Sequence, residues 1–295
     1  MKDSAATGQL HSPREAFEAA WERAAGDRPN AEVKKFSACG TTVVCMHAPW
    51  HDDPNPRVYL ETGFSFLAMV RPFALPYRCV LLPRSSFGDR IDWRLSSRDI
   101  ADWIKWANQI GHIVTFSTFK SGAGFPMMMH AQSFSASLGP ELDWSDVLRS
   151  VANTTVIAFG EMPHYGSIEI SSVSQYLGPA LKIAGEDSDE ALNQVANKVY
   201  ELALNYDNLK ACNLVVVPSR GQASLVLFIP RRRDGMSIFG DTRWQIAAIE
   251  FAGILLCRDR LLFESLTCEI IESIFEHIRI SDGDRHQIKS IVDAF

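Results

Sequence analysis

The order of strand-like and helix-like runs constrains this chain most, because the two kinds do not alternate. A helix-like run, SPREAFEAAWERAAG (12–26), comes first, and strand-like runs follow around 36–46, 57–71 and 78–83. Next come a helical pattern, SSRDIADWIKWANQIG (96–111), the β-rich HIVTFSTF, and a strand around 128–136. The second half has strands near 154–159 and 165–172 and a helix over 188–205. Two apolar strands follow, ACNLVVVP and ASLVLFIPRR, separated only by SRGQ, and an apolar stretch at 244–257 leads into closing helices. A doubly wound parallel sheet needs strands and helices in regular alternation. This order predicts instead an α+β architecture, a largely antiparallel sheet with flanking helices. YRCVLLPR in the first half resembles SLVLFIPR in the second, which points to two pseudo-duplicated halves, 1–145 and 146–295. The second is expected to be the degenerate one, carrying the closing helices.

Local signals place the helices. Ser12 suits a cap with Pro13 in the first turn, and Gly26 a stop. Ser96 or Ser97 suits the next cap, Ile100, Trp103, Ile104 and Ala107 form an apolar stripe, and Gly111 ends it. Formal charge is 29 minus 35, or −6, so the basic footprint of a nucleic-acid binder is absent. The dense basic run is Arg231 to Arg233, which reads as a solvated strand edge or a phosphate contact. No run approaches the ~18 apolar residues of a membrane span, and the six cysteines form no CxxC pair. A cytoplasmic protein without membrane or nucleic-acid partners is the expectation.

The stretch SGAGFPMMMHAQSFSAS (121–137) is where chemistry is expected. Side chains alternate across a strand, so Met128, His130 and Gln132 share one face. Met127, Met129, Ala131 and Ser133 share the other, which reads as core. The plain alternative is a buried histidine satisfied by hydrogen bonds beside a buried glutamine. The chemical reading is that neutral imidazole attacks the α-phosphorus of a nucleotide while its other nitrogen holds its proton against an acceptor. A neutral donor two residues on, Gln132, then reaches the phosphoryl oxygens. Gly122 and Gly124 allow backbone N–H groups close to phosphate, and Lys120 adds positive charge.

MMHAQ resembles the H-x-H-x-Q motif of the transferase branch of the histidine-triad superfamily. That branch includes galactose-1-phosphate uridylyltransferases, diadenosine tetraphosphate phosphorylases and GDP-hexose phosphorylases, the last being the nearest in pattern. FKSGAG (119–124) is similar to the turn before that motif, and VRPFALPYRCVLLPR to the strand that crosses toward the nucleotide. CNLVVV, VLFIPRR and AAIEFAGILL resemble later segments, in the same order, over about residues 60–265. The resemblance implies a nucleotidyltransferase or phosphorylase working through a covalent nucleotidyl-histidine. His130 would be the nucleophile and Gln132 its phosphoryl donor, with Lys120, Ser121, Gly122, Gly124, Arg71, Arg84 and Arg231 as ligand contacts. It also implies a nucleotide or nucleotide-sugar substrate, phosphate or a sugar phosphate as acceptor, and no cofactor; a homodimer is left open.

The chain departs from the pattern at four places. Met128 stands at the first motif histidine, Lys120 at the turn asparagine, Tyr77-Arg78 at the G-H before the crossing strand, and Gly253-Ile254 at the late G-H. A thioether cannot donate a hydrogen bond, so a degenerate nucleotide or sugar-phosphate binding protein is the second reading. An unrelated lyase or hydrolase with His130 as general base is the third. Cys45 and His47 share a strand face with His51 close by, a weak candidate for metal. His112 reads as structural, and His164 as a turn residue. Walker, Rossmann, HExxH and serine-hydrolase motifs do not occur.

Overall fold

The computed structural model describes residues 12–25, 32–47, 58–62, 64–70, 80–83, 95–118, 129–136, 148, 168–173, 176–178, 180–207, 211–218, 224–231, 236–239, 242–257 and 259–277. The helices are α1 (Pro13–Ala25), α2 (Ser97–Ile110), α3 (Asp189–Asp207), α4 (Ala248–Phe251), α5 (Arg260–Ser265) and α6 (Cys268–Glu276). The strands of the first half are β1 (Glu32–Ala38), β2 (Thr41–His47), β3 (Val58–Glu61), β4 (Leu67–Val70), β5 (Val80–Pro83), β6 (His112–Ser117) and β7 (His130–Ser135). Those of the second are β8 (Ile168–Val173), β9 (Ala180–Gly185), β10 (Ala211–Val217), β11 (Ser224–Arg231), β12 (Met236–Phe239), β13 (Thr242–Gln245) and β14 (Ile254–Cys257).

The architecture is α+β, as the run order implied. Nine strands form one antiparallel sheet in the order β3-β4-β5-β7-β6-β10-β11-β9-β8. A strand–strand–helix–strand–strand succession occurs twice, as β4, β5, α2, β6, β7 and as β8, β9, α3, β10, β11. Each time the last strand inserts between the second and third, and β6 pairs with β10 where the two sets meet. The likeness between YRCVLLPR and SLVLFIPR falls on β5 and β11, which hold different places in the two sets. The repetition therefore lies in topology and not in that short echo.

Alternation along each strand separates two cores. Val114, Phe116, Ala131, Leu214, Val226 and Phe228 point toward α1, α2 and α3. Ile113, Phe134, Val215 and Leu227 point to the other face. That face is covered by a small sheet, β1-β2-β14, and by α4 to α6. The stripe expected on α2 is buried, and fully burying Ile100 or Ile104 contributes about 1.5–3 kcal/mol each. Ser96 caps α2 by accepting from the Asp99 N–H, and the Asp99 carboxylate accepts the Ser96 N–H in return at 2.9 Å. Gly111 closes the helix at φ 75°, a conformation that costs glycine little. Asp102 accepts the Ser65 N–H at 2.9 Å and so fastens the turn between β3 and β4 onto α2.

Two expected strands are each hairpins. The run at 36–46 lies in β1 and β2, which meet at Cys39 (φ 52°) and Gly40 (φ 74°), and the run at 57–71 divides into β3 and β4. Two successive positive φ values match the twist of antiparallel strands. The strand expected at 154–159 lies outside the described residues.

Candidate active site

β7 is an interior strand, between β5 and β6. Its first residue, His130, is 6% exposed, and Gln132 is half-buried on the same face. Met129 and Ala131 point into the helix-covered core, as the alternation predicted.

A buried polar cluster holds β7 from behind. Trp106 Nε1–H donates to Ser133 Oγ at 2.9 Å, and His112 Nδ1 lies 3.0 Å from the same oxygen. The indole can only donate, so Ser133 Oγ accepts from Trp106, and the hydroxyl keeps a second lone pair and its proton for its other contacts, His112 among them. The ring of Phe17 meets His112 edge-on at 4.9 Å. His112 is thus a satisfied core histidine.

On the face shared with His130 a second polar cluster spans β6, β10, β11 and α4. Asn213 Nδ2 donates to Ser117 Oγ at 3.0 Å, and the Ala248 N–H donates to the same oxygen at 2.9 Å. Arg231 Nη1 donates to Asn213 Oδ1 at 3.3 Å and to the carbonyl of Ile246. The guanidinium lies over the Phe251 ring, 5.6 Å from its centroid. Glu250 is 6% exposed and accepts the Ala247 N–H at 2.7 Å. Burial pushes its carboxyl up to about 7, against the pull of backbone N–H groups and of Arg231. Burial likewise lowers Arg231 to about 10, with Glu250 opposing.

Arg231 is completely buried, so it is neither a solvated edge nor an exposed cation. Its partners come from β10, from the segment before α4 and from α4 itself. Asn213, Arg231 and Glu250 belong to the segments CNLVVV, VLFIPRR and AAIEFAGILL, which the sequence scatters and the fold gathers next to the end of β6, the strand that pairs with β7. Ser117 was not singled out in the sequence. Met128, Lys120, Ser121, Gly122, Gly124, Arg71, Arg84, His51 and His164 lie outside the described residues.

Cys45 and His47 are both buried in β2. Burial, then the neighbouring Cys257, raises the Cys45 thiol well above its ordinary range. His47 Nδ1 lies 3.0 Å from the carbonyl of Cys257. Among the described residues no group of three or more His, Cys, Asp or Glu side chains is placed to hold a metal. None of the described helices is long and apolar enough to cross a membrane.

The nine-stranded antiparallel sheet with its two repeated sets defines an α+β protein of histidine-triad-like architecture, as the motifs implied. Among the solved structures that share it are those of yeast Ap4A phosphorylase Apa2. The complex of that enzyme with Ap4A superposes with a TM-score of 0.65 at 13% identity, covering 92% of this chain and all of the other (100%). Its AMP complex gives 0.60 at 16% identity, covering 92% of this chain and 96% of the other. No protein-family model and no curated protein sequence matches this chain.

Proposed function

We propose that the chain is a nucleotidyltransferase or phosphorylase that transfers a nucleotidyl group through His130. The observation that carries this reading is the pairing of His130 and Gln132 on one face of an interior strand, within a fold shared with a phosphorylase that binds Ap4A and AMP. In the proposed first step, a ring nitrogen of neutral His130 forms a bond to the α-phosphorus. The P–O bond to the leaving group breaks, and the leaving group departs with the electron pair. In the second step an acceptor oxygen, from inorganic phosphate or a sugar phosphate, attacks the same phosphorus and the P–N bond breaks. Gln132 donates from its amide to the phosphoryl oxygens, and such a donor acts most strongly where water is excluded. Lys120, Ser121, Gly122, Gly124, Arg71 and Arg84 are the proposed contacts for the remaining phosphates. Arg231 is proposed to act indirectly, through Asn213.

The two repeated sets support a division into a first half that carries the histidine and a second that closes the sheet. On β11 the residues that face the same side as His130 include Leu225, Leu227 and Ile229, none of which can attack phosphorus. We propose one reacting centre per chain on that basis. The substrate class is a dinucleoside polyphosphate or a nucleoside diphosphate sugar. Chromatography of reactions containing each class, with and without inorganic phosphate, tests this directly. Phosphate-dependent release of nucleoside diphosphate, lost in His130→Ala, is the expected result. No conversion of any member of either class, at enzyme concentrations that convert the substrate of a known phosphorylase, overturns it. The methionine at position 128 favours a second reading, a binding protein without turnover, which predicts nucleotide binding and no products.

A further inference from the structure

We propose that Ser117 is a further donor in this site, and that a buried hydrogen-bond chain fixes the direction of its proton. The proposal rests on the reading of His130 as the phosphoryl-binding centre. It starts from Arg231, whose guanidinium can only donate. The amide atom of Asn213 that faces Arg231 must therefore be the oxygen, which turns the Asn213 NH₂ toward Ser117. The Ala248 backbone N–H also can only donate, and it too points at Ser117 Oγ. Both donors occupy the lone pairs of the hydroxyl. A hydroxyl has two lone pairs and one proton, so Ser117 is left with an O–H whose direction is set away from Asn213 and α4.

The sheet register says what that proton can meet. The ladder between β6 and β7 runs to Phe116 opposite Ala131, and one step further Ser117 lies opposite His130. Directly opposed residues of an antiparallel pair have Cβ atoms about 4.5–5.5 Å apart. Ser117 shares its face with Ile113, and His130 with Phe134, which place both on the side away from α1 to α3. Ser117 is half-buried. His130 is thus flanked by two neutral donors, Gln132 along its own strand and Ser117 across the ladder. The ligand this chemistry takes is a phosphoryl oxygen of a nucleotide bound at His130. A donor held in one orientation before the ligand arrives needs no reorganisation when charge develops there.

Binding of AMP and of inorganic phosphate to protein labelled with ¹⁵N-histidine tests this without requiring turnover. The His130 ring signals are assigned by their loss in His130→Ala. A hydrogen bond to a charged group contributes about 1.5–3 kcal/mol, so Ser117→Ala should weaken AMP binding about 10- to 100-fold. Ser117→Thr keeps the hydroxyl and should stay within about threefold of the wild type. Asn213→Asp is the sharper variant. It keeps the volume and the contact with Arg231 but presents only acceptors, so the Ser117 proton turns inward. It should weaken AMP binding as much as Ser117→Ala, and the double variant should be no worse than either single one. It also carries the test if Ser117→Ala fails to fold. Unchanged affinity in Ser117→Ala or Asn213→Asp, an equal loss in Ser117→Thr, or His130 signals that neither probe moves would each overturn the proposal. Binding with this pattern but without a nucleotidyl adduct would leave Ser117 in place and remove only the transferase reading.

Discussion

Ser133→Ala should loosen the strand that carries His130 while touching nothing on the face that His130 shares with Gln132. Ser133 is fully buried, Trp106 is 1% exposed and His112 is 3% exposed. The hydroxyl accepts from Trp106 at 2.9 Å and serves His112 at 3.0 Å, so its removal takes a partner from two buried groups at once. Leaving a buried donor or acceptor unsatisfied costs about 1–3 kcal/mol. The two losses share one atom and will not add fully, so about 2–4 kcal/mol is expected. For a chain of this size that lowers Tm by very roughly 4–10 °C. Urea denaturation followed by tryptophan fluorescence and by circular dichroism gives the measurement, and the slope m should stay unchanged. The same substitution made in a Trp106→Phe, His112→Phe background should cost much less, because the polar groups it strands are already gone. A loss below about 0.5 kcal/mol in the wild-type background, the size of an ordinary surface change, would refute the hydrogen-bond assignment.

Three further outcomes follow from the two polar clusters and the motif. Glu250 has its folded-state pKa raised to about 7 by burial, so the folded protein holds a proton that the unfolded chain releases from about pH 4.5 upward. This group's contribution to stability therefore falls as pH rises from about 4.5 to 7; the difference between wild type and Glu250→Gln, measured by denaturation across that range, should change by up to about 3 kcal/mol, and a flat difference counts against it. Gln132→Ala should slow nucleotidyl transfer about 10²-fold or more in single-turnover kinetics while leaving Tm nearly unchanged, and an unchanged rate would remove Gln132 from the site. Met128→His should alter the rate only modestly if the enzyme is already active with methionine there, whereas recovery of transfer from an inactive wild type would favour the degenerate binding protein.

The local rules of the chain were legible in the sequence. Ser96, the stripe on α2 and Gly111 each announce themselves within a few residues, and the alternation through Met129, His130, Ala131 and Gln132 gives their faces directly. What was not legible depends on partners far away in sequence. The hairpin at Cys39-Gly40 lies inside one continuous strand-like run, and without a more obvious turn pair the run reads as a single strand. β14 sits in an apolar stretch where a buried strand and a buried helix look alike, and it is identified only by its parallel pairing with β2. Arg231 reads as a surface residue because arginine is almost never buried unless paired. Its partners Asn213, Ile246 and Glu250 come from three elements that only the fold brings together. Ser117 is invisible for the same reason, since its role depends on an amide 96 positions away.

The central claim, that His130 takes up a nucleotidyl group, is tested most directly by intact-mass analysis of the protein after mixing with substrate in the absence of acceptor. The account predicts a mass increase equal to one nucleotidyl group per chain, mapping to the peptide that contains His130. The adduct should be labile in acid, as a P–N bond is, should disappear when inorganic phosphate is added, and should be absent in His130→Ala. An adduct on any other residue, or full turnover by His130→Ala, would contradict it.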